Sequence, residues 1–167
     1  MDVAALFTQH HTPLFRYLAR LTGDPDVAED AAQEAFVKLI ERPPAAGETR
    51  AWLFRVATNA AWMTLRTRGR RRRIAQASPE RLPLADAPRT PDADAEAAET
   101  RRRVRAALDT LSERDRTILL MQQEGFRYRE IAEAVGTTTQ SVGTMIARAL
   151  NKLAAELRLD EEDEWNC

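Results

Sequence analysis

The chain has 167 residues, 44% of them apolar but only 6% aromatic, which suits one helix-rich domain or two small ones and speaks against an all-β fold. A lone cysteine, Cys167, excludes an internal disulfide framework and a multi-cysteine zinc site. The net charge of −1 conceals blocks: residues 1–73 carry 12 Lys/Arg against 8 Asp/Glu, 74–100 carry 2 against 6, 101–155 carry 10 against 6, and 156–167 carry 1 against 6. Two basic modules, an acidic stretch between them and an acidic tail fit two surfaces for a polyanion and two segments that repel it. No apolar run is long enough to cross a bilayer, and Met1 to Gln9 lacks the basic and apolar regions of a leader, so a soluble cytoplasmic protein without membrane insertion is expected.

In chain order, Val3, Leu6, Phe7, Leu14, Tyr17, Leu18 and Leu21 recur at helical spacing, with Pro13 a candidate break and Gly23 the stop. Asp24 is then a natural N-cap and Pro25 a natural first helical residue, and Val27, Ala31, Phe36, Leu39 and Ile40 supply the buried face of a second helix that Pro43 and Pro44 end. A third helix is predicted from about Thr49 to Arg73, with Trp52, Leu53, Val56, Ala60, Met63 and Leu65 as its apolar stripe. It ends in six arginines within eight residues, Arg66, Arg68, Arg70, Arg71, Arg72 and Arg73. Pro79, Pro83, Pro88 and Pro91, interspersed with Ala and acidic residues, mark a linker. Fully extended, Ile74 to Thr90 would reach roughly 55 Å.

Beyond the linker, Thr90 and Pro91 are a start signal for an Ala-rich helix through Val104, Leu108 and Leu111. Ser112 and Asp115 form a capping-box pattern before a short helix carrying Ile118, Leu119 and Met121, which Gly125 ends. Tyr128 to Val135, Gly136 at the turn, and a following helix anchored by Val142, Met145 or Ile146, and Ala149 match the demands of a DNA-binding helix-turn-helix, with Thr137 in a slot that is usually apolar. Its outward face would present Thr138, Thr139, Gln140, Ser141, Thr144 and Arg148; Gln bonds adenine well, and Ser and Thr reach phosphates or base edges. A threonine-rich helix start is equally a good N-cap.

The run Leu14-Phe-Arg-Tyr-Leu-Ala-Arg-Leu-Thr-Gly-Asp-Pro-Asp-Val-Ala-Glu-Asp-Ala-Ala-Gln-Glu-Ala-Phe-Val-Lys-Leu-Ile40, followed by Arg50-Ala-Trp-Leu-Phe-Arg-Val-Ala-Thr-Asn59, resembles region 2 of bacterial RNA polymerase sigma factors of the extracytoplasmic-function branch of the sigma-70 family. Leu108 to Leu119 and Tyr128 to Gly136 are similar to region 4 of the same family. The resemblance implies an all-α protein of two small helical domains on a flexible linker: residues 1–75 for the polymerase clamp and the −10 element, a Pro/Ala/acidic linker at 76–94, 95–157 for the flap and the −35 element, and an acidic tail at 158–167. It implies an alternative sigma factor with core RNA polymerase, promoter DNA and an anti-sigma factor as partners, no cofactor and no catalysis of its own.

On that reading Asp26, Glu29, Asp30, Gln33 and Glu34 form an acidic face toward polymerase. The −10 element would meet Asn59, Arg55, Trp62 and the arginines from Arg66 to Arg73, with Asn59 bonding a flipped base. Trp52 and Phe54 have the chemistry to stack on bases, although Trp52 falls on the apolar stripe. Arg127 and Tyr128 join the helix-turn-helix face at the −35 element. The chain departs from the family in having Met63 where an Asp is common, and Gly143 and Met145 where the recognition helix usually has Lys and Arg. The acidic tail is either a solubilising coil or a strap over the helix-turn-helix. A stand-alone helix-turn-helix regulator would leave the first block unexplained, and a metalloenzyme using His10, His11, Glu29, Asp30 and Glu34 lacks any Glu-x-x-His spacing.

Overall fold

The computed structural model describes residues 2–45, 47–76 and 95–165; the predicted linker prolines and the start signal at Thr90 and Pro91 lie outside these, as does Cys167. Among the described residues there are seven α-helices and no strand. Helix α1 spans Val3–Thr22, opened by Asp2, whose carboxylate accepts from the Ala5 amide, and closed by Gly23 at φ 70°. Pro13 does not break it. The proline lies on the exposed side, where water can serve the carbonyl that loses its amide partner.

Helix α2 (Pro25–Glu41) starts as predicted, with Asp24 accepting from the amides of Asp26 and Val27. Its inner face is Val27, Ala28, Ala31, Ala32, Ala35, Phe36 and Leu39, small enough for α1 and α3 (Thr49–Gln76) to approach closely. Ile40, expected inside, is 58% exposed. In α3 the buried set is Leu53, Phe54, Ala57, Ala60, Ala61 and Trp62, while Met63 is 66% exposed. The expected stripe is therefore rotated, because α3 is covered from more than one side. Tyr17 and Thr58 are joined at 2.9 Å inside this bundle, and burial raises the Tyr17 pKa above its ordinary value.

The second half consists of α4 (Ala95–Thr110), α5 (Glu113–Gln123), α6 (Tyr128–Val135) and α7 (Thr139–Trp165), with α7 packed against the other three. Ser112 caps α5 through the Asp115 amide at 3.0 Å, but the Asp115 carboxylate does not complete the expected box; it accepts from Lys152 of α7 at 2.6 Å. As far as Trp165 the acidic segment is not a coil, since its backbone prolongs α7. Buried residues of both halves belong to one continuous apolar cluster, in which α1 meets α5 and α3 meets α6. The two expected modules are in contact.

Candidate nucleic-acid interface

The helix-turn-helix is built from the α6–α7 corner. Gly136 adopts φ 66°, and the Ala132 carbonyl receives the amides of both Gly136 and Thr137, which turns the chain sharply. Ile131 and Ala132 of α6 are buried behind the turn, together with the expected anchors Val142, Ile146 and Ala149. Thr138 spends its hydroxyl on the start of α7, accepting from the Ser141 amide at 3.3 Å and pairing with the Ser141 hydroxyl at 2.8 Å. Of the outward residues, Thr139, Gln140, Thr144 and Arg148 remain exposed, and Ser141 is half-buried.

At the other end of α6, the Arg127 amide donates to the Glu130 carboxylate at 2.7 Å, a cap the sequence reading did not single out. Tyr128 is 45% exposed beside α7, where a Cβ added to Gly143 would sit 3.5 Å from its ring. The recognition helix thus lacks a side chain at 143 where the Tyr128 ring lies across it.

On α3, Asn59 is exposed, one turn before exposed Met63. Trp62 is not on that surface: it is 7% exposed, and its indole N–H donates to the Thr117 hydroxyl of α5 at 3.0 Å. Phe54, a candidate for base stacking, is fully buried between Tyr17 and Phe126. Trp52 is partly buried against the core, in line with its place on the stripe. Arg55 faces Glu133 of α6 at 3.8 Å and Arg66 faces Glu113 of α5 at 3.2 Å. Arg68 donates to Asp24 at 2.8 Å. Arg70, Arg71 and Arg73 are exposed, and the side chain of Arg72 lies outside the described residues.

The acidic face of α2 holds together as a surface. Asp26, Asp30, Gln33 and Glu34 are exposed, while Glu29 is half-buried and accepts from Gln33 at 3.0 Å and contacts His11 at 3.3 Å. His11 stacks on Phe7 with ring centroids 4.4 Å apart. No group of three or more His, Cys, Asp and Glu among the described residues has the arrangement of a metal site. No described helix is long and apolar enough to cross a membrane.

Four arginines outside the predicted site have structural roles that only the tertiary fold reveals. Arg105 and Arg116 donate to the Arg20 and Leu21 carbonyls at the end of α1, at 2.6 and 3.0 Å. Arg50 donates to the Glu124 carbonyl at the end of α5 at 2.6 Å and lies 4.1 Å over the Phe126 ring. Arg20 pairs with Glu124 and Gln123. None of these has a motif signature, because each partner is a distant backbone carbonyl or side chain.

The model of sigma-70 region 2 matches residues 6–71, and that of sigma-70 region 4 matches residues 101–153. The ECF RNA polymerase sigma factor SigL of Mycobacterium tuberculosis is 31% identical over 159 residues, which cover 92% of this chain and 88% of the relative. The ECF sigma factor SigE of Mycolicibacterium smegmatis is 31% identical, over 89% of this chain and 58% of its own length. The fold is shared with the sigma factor RpoE in complex with the anti-sigma factor NepR from Bartonella quintana, at a TM-score of 0.71 and 23% identity over 95% of this chain and 98% of that one. CnrH in complex with the cytosolic domain of CnrY gives 0.61 at 22% identity, over 95% and 88%. With both regions matched in order, a helix-turn-helix formed at the second and SigL similar over nearly the whole chain, the protein belongs to the extracytoplasmic-function branch of the sigma-70 RNA polymerase sigma factors.

Proposed function

We propose that this sigma factor binds core RNA polymerase through α2, opens the −10 element with α3 and reads the −35 element with the start of α7. The observation that carries the reading is the pairing, on one chain, of an exposed acidic helix face at Asp26, Asp30 and Glu34 with an exposed Asn59 on α3 and a formed helix-turn-helix. The acidic face suits a basic partner helix. Asn59 offers both a donor and an acceptor to an unstacked base. Arg70, Arg71 and Arg73 supply phosphate contacts whose strength falls with salt. Thr139, Gln140, Thr144 and Arg148, with Arg127 and Tyr128 beside them, form the duplex-reading surface.

Residues 1–75 and 95–157 are accordingly the two functional modules, with 76–94 as the tether between them. The family is one of non-catalytic initiation factors, and the protein works in the cytoplasm, where polymerase and DNA are. An anti-sigma partner is part of the same reading, supported by the likeness of fold to a sigma factor solved with one.

The test is run-off transcription from a genomic fragment library with bacterial core polymerase, with and without the protein. Discrete new start sites support the reading and reveal both promoter elements. Retention of duplex fragments without any binding to core would overturn it in favour of a stand-alone regulator.

A further inference from the structure

Asn59, Met63, Arg66, Arg70 and Arg73 are exposed and recur at i, i+4, i+7, i+11 and i+14, so they share one side of α3. From Asn59 to Arg70 no other described residue of the helix is exposed. The direction of this row is set from behind: Ala57 and Ala61, on the opposite side, are fully buried, and the Thr58 hydroxyl is joined to Tyr17 of α1 at 2.9 Å. The row begins with an amide and ends with guanidinium groups, of which Arg66 also pairs with Glu113 at 3.2 Å. Between them stands a thioether.

Met63 is 66% exposed, so the fold gains little from its apolar chain. An amide or a guanidinium can bond a base edge or a phosphate, and a thioether does so poorly. What Met63 can do is cover apolar surface, with an unbranched, polarisable chain that adapts to the shape it meets. Of the four bases, thymine alone carries a methyl group at its major-groove edge. Covering the donors and acceptors of the other bases would leave polar groups unpaired, so Met63 favours thymine by contact and disfavours the rest by desolvation. The methyl group stays on the base whether the base is paired or unstacked.

Resting on the proposed promoter role, we infer that Met63 is a specificity-determining residue of the −10 surface, making the apolar contact to the 5-methyl group of a thymine beside the base bonded by Asn59. The cations on the same side of α3 commit this surface to a nucleic acid, because an apolar protein partner would have to bury them. One helical turn separates Asn59 from Met63, a rise of roughly 6 Å. At about 3.4 Å per nucleotide along one strand, the thymine lies within two positions of the base that Asn59 holds.

The experiment uses the full chain with core polymerase on a promoter identified by run-off transcription. Each thymine of its −10 element, on either strand, is replaced in turn by uracil, which lacks the methyl group alone. With the wild type, the open-complex yield at limiting protein should fall about fourfold at one position, the effect of one buried methyl group. Met63→Gln keeps the length of the side chain and loses its apolar end, and it should give equal yields on the thymine and uracil templates. Met63→Leu should restore the difference. All three proteins should melt at the same temperature, since Met63 is exposed, and a merely structural role would not produce a dependence on one methyl group of the DNA. A wild type indifferent to uracil at every position would overturn the inference. So would a uracil effect of the same size in Met63→Gln. If no fragment yields a run-off transcript, the promoter role itself fails, a result distinct from transcription that is blind to uracil.

Discussion

Asp24 divides its carboxylate between two tasks: Oδ1 accepts from the amides of Asp26 and Val27 at 3.0 and 3.1 Å, and Oδ2 accepts from Arg68 at 2.8 Å. The residue that starts α2 therefore also holds an arginine of α3. Asp24→Ala loses the cap and should lower stability by about 1 kcal/mol, with little added from the half-exposed ion pair. Asp24→Asn keeps an acceptor for the cap but releases Arg68. Its melting temperature should stay close to wild type, while its affinity for a mixed-sequence duplex at low salt should rise. Equal losses of stability in the two variants would show that the ion pair, not the cap, dominates.

Asn59→Ala should reduce the yield of open complexes more than it reduces binding to core polymerase, because Asn59 is exposed and supports no part of the bundle. Permanganate reactivity of the melted promoter region, set against a core-binding titration, checks this. An unchanged yield would remove Asn59 from the base-contacting set.

Reversing Asp30 and Glu34 to Lys should weaken core binding without unfolding α2, since both are exposed and Glu34 pairs with Lys38 at the surface. Glu29 should behave differently from these two. It is half-buried between Gln33 and His11, so Glu29→Lys should cost stability as well as affinity, and thermal melts beside the titration will separate the two.

Burial and, secondarily, the charge of Arg50 lower the pKa of His10, so the folded state prefers its neutral form. A histidine whose folded pKa lies below its unfolded value of about 6.5 contributes stability above that value and loses it as pH falls through the window beneath. Urea midpoints should therefore decline from pH 7 toward pH 5, and His10→Gln should flatten that decline. The same slope in both proteins would place its origin elsewhere.

The elements that were legible in the sequence are those whose signals are local. Asp24 with Pro25 started α2, Gly23 ended α1 and Gly136 turned the helix-turn-helix, each through backbone chemistry that needs no distant partner. What was not legible depended on the other half of the molecule. Trp62 was expected at the −10 element, and its bond to Thr117 of α5 holds it inside instead. Met63 and Ile40 fitted helical stripes, but the stripes on α2 and α3 are set by which neighbours cover them. Arg50, Arg105 and Arg116 seek carbonyls far along the chain, a relationship that leaves no periodicity or motif.

Gly143 bears on both stability and the proposed duplex-reading surface. It lies inside α7 without a positive φ, so its backbone has no need of glycine, and the nearest atom to an added Cβ is the Tyr128 ring at an ordinary contact distance of 3.5 Å. Gly143→Ala should therefore stabilise the protein by up to about 1 kcal/mol, through helix propensity and a less flexible unfolded chain. The added methyl meets Tyr128 without displacing it, so −35 binding should be retained. Gly143→Arg places a longer chain where Tyr128 lies; it should gain a phosphate contact, steepen the salt dependence of duplex binding by about one ion, and shift the Tyr128 ring. Denaturant titration and a salt series on a −35 duplex identified by the run-off experiment measure both effects. A destabilised Gly143→Ala would mean that Tyr128 cannot yield even to a methyl group, making the glycine a requirement of the α6–α7 packing and not a gap in the recognition surface.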